Sequence, residues 1–175
     1  MEEISMSETT FTVSDNEKSL VIKRTFNASK SKVWEAWTTV DLLKQWFSPT
    51  GWETEVKRFD FSEGGSWEYI MKCVDPEQND WIGMTSAGKS TYSSIKPEDS
   101  FENTDYFTDD VGNVSKEAPV SNSLIEFADN GDDTTTVIST TSYDSKEALQ
   151  EVIKMGMEEG LSQSWDKLAS VLEHK

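Results

Sequence analysis

The sequence contains one histidine and one cysteine, which limits its nucleophilic and metal chemistry. His174 is the penultimate residue, where a frayed, solvated end is expected. A Ser-His-Asp or Cys-His site built on it would lack preorganisation. Cys73 falls on the apolar side of a strand pattern with no basic partner nearby, the setting of a buried, inert thiol. One Cys and one terminal His do not make a zinc set. Asp129, Asp132 and Asp133 crowd a turn but lack the ligand spacing and closing Glu of a calcium loop, so they read as turn residues. Gly64-Gly65 is too short to cradle phosphates and reads as a hairpin turn. Asp and Glu together number 33, so no single carboxylate pair stands out as an acid–base couple. No catalytic residue, metal or cofactor is assigned, and the reading leans away from an enzyme.

The residues that do form a pattern are aromatic and sulfur-bearing. Trp67, Tyr69 and Met71 share one strand face with Cys73, with Glu68 and Lys72 opposite. Met84 follows on the next predicted strand, and Met157, Leu161 and Trp165 recur on a helix. Each alone is core material. As a set they predict a cavity, since ligand sites are mostly apolar with a few polar groups, and Met adapts to varied guests. Tyr69, Asn103 and Ser139 are the candidate polar groups for orienting such a guest.

The elements that would position them follow from periodicity. Leu20 to Phe26 alternates as a strand. Two short helices come next, one with Val33, Trp34 and Trp37 after a Ser29 cap, the other with Leu42, Leu43, Trp46 and Phe47, ended by Pro49 and Gly51. Strands are expected over Trp52 to Phe61, Ser66 to Cys73, Trp81 to Ser94 and Ser100 to Thr108, with Asp109 to Pro119 a loop. Ser121 to Ala128 and Thr134 to Ser142 make a hairpin around Asn130-Gly131. One long helix closes the chain, with Asp144 and Glu147 as a capping box and a length of about 40 Å at 1.5 Å per residue. The expected class is α+β: a curved antiparallel sheet with two short helices and a long C-terminal helix. Residues 1–17 are expected as a flexible leader and 18–175 as one domain, with Thr12 or Val13 available to extend the first strand.

Composition narrows the partners. The chain has 175 residues, seven Trp, eight Phe and a net charge of −17. So acidic a chain, without a basic patch, excludes phosphate backbones and anionic membranes as expected partners. No apolar run approaches the ~20 residues of a membrane span. Met1 to Glu17 has no secretory pattern, and a single Cys fits a reducing compartment, so a cytoplasmic location is expected.

Several motifs carry a resemblance. Lys32-Val33-Trp34-Glu35-Ala36-Trp37-Thr38, Trp46-Phe47-Ser48-Pro49-Thr50-Gly51-Trp52, Phe59-Asp60-Phe61-Ser62-Glu63-Gly64-Gly65-Ser66-Trp67 and Gly156-Met157-Glu158-Glu159-Gly160 occur in that order. Together, over Leu20 to Leu172, they resemble the START-like (SRPBCC) superfamily, and within it the family similar to the activator of the heat-shock-protein-90 ATPase. The resemblance implies a helix-grip fold like that of the birch-pollen allergen. The family's Trp after the Gly160 position and its aliphatic residue four later are exchanged here, as Leu161 and Trp165. Three functions follow as expectations. The first is a carrier of an apolar small molecule (a lipid, a polyketide or another aromatic metabolite). The second is a chaperone-type interaction module, with Trp52 and Trp81 near loops. The third is a cyclase or hydrolase using Tyr, Asp or Glu.

Overall fold

The computed structural model describes residues 8–173. The expected leader before Glu8 and the expected fraying at His174 lie outside those residues. Strand β1, Thr10–Val13, pairs antiparallel with β2, Ser19–Phe26, through the register Thr10↔Lys23 to Val13↔Leu20. The expected leader is corrected at this point: Thr10–Val13 form a strand of their own rather than an extension of the next, because Ser14 and Ser19 close a tight turn between them.

The order then runs through α1 (Lys30–Thr38), α2 (Val40–Trp46), β3 (Trp52–Phe59), β4 (Ser66–Cys73), β5 (Thr85–Lys96), β6 (Ser100–Thr108), β7 (Ser121–Asp129), β8 (Thr135–Ser142), α3 (Lys146–Lys154) and α4 (Met157–Glu173). All strands form a single antiparallel eight-stranded sheet in the order β1-β2-β8-β7-β6-β5-β4-β3. The sheet curves around the helices in the helix-grip arrangement.

Alternation explains which face is inner. Leu20, Ile22, Arg24 and Phe26 of β2 are buried, while Lys23 between them is exposed. Arg24 enters this apolar row because Asp166 of α4 meets its Nη1 at 2.6 Å and the Phe26 ring lies 5.4 Å from its guanidinium carbon. Ser29 caps α1, as its sequence position predicted, and accepts from Lys32 N. The rings of α1 then fill one end of the sheet: Trp34 lies 5.2 Å from Phe127, and Trp37 lies 4.7 Å from Trp46 and 5.8 Å from Trp165.

Helix α4 is pinned against α2 by polar contacts as well as by packing. Ser164 Oγ donates to Trp46 O at 2.7 Å. Lys167 Nζ donates to Ser48 Oγ, Pro49 O and Trp52 O at 2.9, 3.1 and 3.3 Å, which satisfies carbonyls where α2 ends and β3 begins.

Three expectations are corrected. The closing helix is not one rod. Met155 caps α3, and Gly156, at φ +87°, turns the chain before α4 begins. The cap at its start is Ser145, which accepts from Ala148 N at 3.0 Å, in place of Asp144. Strand β5 also begins later than Trp81. The segment before it is a turn, with Met84 N donating to Trp81 O at 2.8 Å and Gly83 at φ +85°.

Candidate functional site

A cavity of about 260 Å³ lies between the inner face of the sheet and helices α2, α3 and α4. Its walls are mostly apolar. Trp67, Tyr69, Tyr92 and Phe101 come from the strands, Phe47 and Trp46 from the end of α2, and Val152, Met157, Leu161 and Trp165 from the two last helices. Of the residues singled out in the sequence, Trp67, Tyr69, Met157, Leu161 and Trp165 line it, as do Asn103 and Ser139.

Met71 and Met84 do not line the cavity. Met71 keeps the face of Trp67 and Tyr69 but lies further along β4, paired with Thr54 and Ser86, beyond the cavity's end. Met84 sits in the turn before β5 and is 48% exposed. Its strand assignment failed, and its inward direction failed with it.

The rings on the wall hold one another. Trp67 stacks on Tyr69 at 4.5 Å, and Phe47 meets both edge-on at 4.9 and 5.0 Å. Trp165 packs against Phe26 at 5.9 Å. Offset and edge-on pairs of this kind add to the stability their buried area provides.

The floor is polar, and it carries more polar groups than the Tyr69, Asn103 and Ser139 expected from the sequence. Ser90 of β5, Asn103 and Asp105 of β6, Ser121 and Ser123 of β7, and Ser139 and Thr141 of β8 all contribute to it. Cross-strand register places them side by side: Ser90 opposite Asp105, Asp105 opposite Ser121, Asn103 opposite Ser123, and Ser123 opposite Thr141. Ser123 and Thr141 hydroxyls are 2.9 Å apart, and Ser139 and Thr141 3.3 Å. Small hydroxyl side chains at inward positions leave the volume that Phe101, Ile125, Phe127 and Val137 fill elsewhere on the same face.

Asp105 is the most consequential of these. Ser90 Oγ donates to its Oδ1, and Asn103 Nδ2 donates to Oδ1 at 3.2 Å and to Oδ2 at 3.4 Å. Burial pushes its carboxyl up to about 6, against the lowering effect of the Ser90 hydrogen bond. Burial, with the Asp105 charge adding to it, raises the phenols of Tyr69, Tyr92 and Tyr143, the last to about 12. Asp105 and Tyr69 both line the cavity and keep part of their surface accessible. Three cavity-lining residues, Trp37, Asn103 and Trp165, also carry a buried polar atom without a protein partner: Nε1, Oδ1 and Nε1 respectively.

Sequence reasoning missed Asp105, Ser90, Ser121, Ser123 and Thr141. A signal for them exists in the period-two pattern. In Phe101-x-Asn103-x-Asp105-x-Phe107, Ser121-x-Ser123-x-Ile125-x-Phe127 and Val137-x-Ser139-x-Thr141, polar residues take positions in register with core residues.

Elsewhere the candidate chemistry is structural. Cys73 is fully buried, with Gln78 Oε1 3.7 Å from its sulfur. Asp129 Oδ1 accepts from Gly131 N at 2.9 Å and Asp132 Oδ1 from Thr134 N at 3.2 Å, which is turn chemistry. Among the described residues no cluster of three His, Cys, Asp or Glu forms, and no helix is long and apolar enough to cross a membrane.

The model of the family described as "Activator of Hsp90 ATPase homolog 1-like protein" matches residues 27–173. The chain belongs to this family. The motifs from Lys32 to Trp67 and from Gly156 to Gly160 fall within the matched span, so the helix-grip assignment and the family agree. No match was found among curated proteins. Solved structures similar to this family member include a solution structure of an Arthrobacter aurescens protein, 24% identical, with TM-score 0.83, covering 95% of this chain and 92% of the other. A crystal structure of a Mycobacterium smegmatis protein is 26% identical, with TM-score 0.82, covering 94% and 96%. A Staphylococcus epidermidis protein is 28% identical, with TM-score 0.77, covering 93% and 94%.

Proposed function

We propose that this protein binds a predominantly apolar small molecule in the cavity between the sheet and helices α3 and α4, without transforming it. The observation that carries the reading is the volume itself. An interior with this many rings would close on itself if the inward positions of β6, β7 and β8 were all large. Instead Asn103, Asp105, Ser121, Ser123, Ser139 and Thr141 occupy several of them, and about 260 Å³ stays open. Native interiors tolerate few voids of such size without a function, because the lining atoms lose their dispersion partners. Aromatic walls with a few convergent polar groups are what a small-molecule site requires.

The test is a titration with 2-naphthylmethanol, a neutral aromatic alcohol, followed by NMR. The methyl signals of Met157 and Leu161 and the indole N–H of Trp165 should shift together and saturate. The melting temperature should rise with ligand concentration, as binding to the folded state alone requires. Shifts confined to the surface, or no cavity shift with this alcohol or with its amine and carboxylate analogues, would remove the carrier reading.

A second reading has its own observation. Trp81, Ile82 and Met84 are 52%, 47% and 48% exposed at the turn between β4 and β5. Exposed apolar residues grouped on one loop suit a protein partner, in keeping with the chaperone-activator association of the family's name. Binding of a chaperone that shifts the Trp81 indole signal and leaves Met157 and Leu161 unmoved would favour this reading over the first.

A further inference from the structure

Asp105 holds a charge on the cavity floor that no cation among the described residues matches. Carboxylates leave water at a high cost and are ordinarily paired when buried. None of the ion pairs among the described residues involves Asp105. Among the described residues no Lys or Arg lines the cavity wall either, whose other ionisable residues are the tyrosines 69, 92, 106 and 143. The two donors that reach it, Ser90 Oγ and Asn103 Nδ2, are neutral and leave the charge in place. Beside it, Asn103 Oδ1 is a buried acceptor without a partner.

We infer that the cavity's ligand is a protonated amine, whose ammonium group docks against the Asp105 carboxylate while its apolar body lies among the rings of Trp67, Tyr69, Tyr92 and Phe101. This rests on the reading of the cavity as a binding site and names the chemistry of what it binds. An ammonium group supplies what the site lacks. It donates several hydrogen bonds to a floor with acceptors to spare, and it compensates the buried charge. The aromatic faces on the strand wall attract the same group through their quadrupoles. A neutral alcohol would donate one hydrogen bond and leave the carboxylate uncompensated. A carboxylic acid ligand would meet Asp105 as a like charge. The chain's overall −17 charge acts in the same direction, by drawing cations toward the protein.

The experiment compares three probes of one shape: 2-naphthylmethylamine, 2-naphthylmethanol and 2-naphthoate. At pH 7.5 the amine should bind about tenfold or more tightly than the alcohol, the difference between a charge-assisted and a neutral hydrogen bond, and the naphthoate should bind most weakly. Asp105→Asn should abolish the amine's advantage over the alcohol. The unaltered protein gives an independent readout through the 13C-carboxyl titration of Asp105. Saturating amine should lower its apparent pKa, and saturating alcohol should not. Equal affinities for amine and alcohol, or an unchanged Asp105 titration in the presence of amine, would overturn the inference while leaving the carrier reading intact. Failure of all three probes to move the cavity signals would overturn both.

Discussion

Tyr69 lies directly over Gly88: a methyl group on that glycine would sit 2.4 Å from Tyr69 Oη and 2.6 Å from Cζ. The two residues are register partners on β4 and β5, so the ring uses the space a neighbouring side chain would occupy. Gly88→Ala therefore forces the phenol off its site. The expected loss is about 1–3 kcal/mol, the usual range for overpacking, or several degrees in melting temperature. Differential scanning calorimetry checks it. The double variant Gly88→Ala/Tyr69→Ala should lose clearly less than the sum of the single changes, because removing the ring removes the clash. An additive result would mean that the contact is not what makes the glycine necessary.

Asp105 makes stability depend on pH. Its carboxyl is raised from 3.8 to about 6 in the folded protein, so the folded state holds the proton more tightly than the unfolded chain. Stability from this group is fully present below the unfolded value, falls as pH rises between the two values, and is lost above about 6. At about 1.4 kcal/mol per unit, the unligated protein should gain about 2 kcal/mol relative to Asp105→Asn between pH 7.5 and pH 4. Asp109 and Asp132 shift the other way, through hydrogen bonds to Asn113 and Thr134 respectively, but both proteins contain them and their effects cancel in the difference. Denaturant titrations of both proteins at several pH values provide the measurement. Parallel stability curves would show that Asp105 titrates as an ordinary carboxylate.

Much of the architecture was legible because period and punctuation agree. Leu20 to Phe26 alternates cleanly, Ser29 has helix-capping chemistry, and the Asn130-Gly131 turn separates two strands of matched length. Each signal is local, and tertiary packing reinforced it. The misses share a different cause. Met157, Leu161 and Trp165 continue an apolar stripe across Gly156, so periodicity alone joins α3 to α4. The left-handed conformation at Gly156, a backbone fact, marks the division. Met84 was placed by extending strand alternation into a segment that a turn had already claimed. Asp105 was hidden by the abundance of acidic residues. Its importance comes from the strands on either side, Ser90 and Ser121 being its cross-strand partners, and cross-strand pairing is not local information.

The exposed and buried tryptophans should separate surface function from folding. Trp81 is 52% exposed, whereas Trp165 is 1% exposed and packs against Phe26 and Trp37. Trp81→Ala should change stability by no more than about 0.5 kcal/mol, as expected for a surface change without structural partners. Trp165→Ala should lose about 3–5 kcal/mol and enlarge the cavity. Chemical denaturation of the two variants measures both. A large loss on removing Trp81 would show that its loop supports the fold and would weaken the reading of that loop as a docking element.

Two glycines four residues apart should respond to alanine with opposite signs. Gly156 sits at φ +87° with open space where a side chain would go, so Gly156→Ala meets no clash but forces an L-residue into a left-handed conformation. The expected loss is about 1–2 kcal/mol, the cost of that conformation for a residue with a Cβ. Gly160 lies inside α4, where a Cβ would make ordinary contact with Pro49 Cγ at 3.6 Å. Gly160→Ala should stabilise by about 0.5–1 kcal/mol, because glycine is a poor helix former and nothing here requires it. Thermal unfolding followed at 222 nm measures both stability and helix content. Gly156→Ala should melt earlier with unchanged helicity, since Ser164 and Lys167 still pin α4 to α2 and β3. If it melted later with added helix, the break between α3 and α4 would be a property of glycine alone, and the shape of the cavity wall at Val152 and Met157 would not be set by packing.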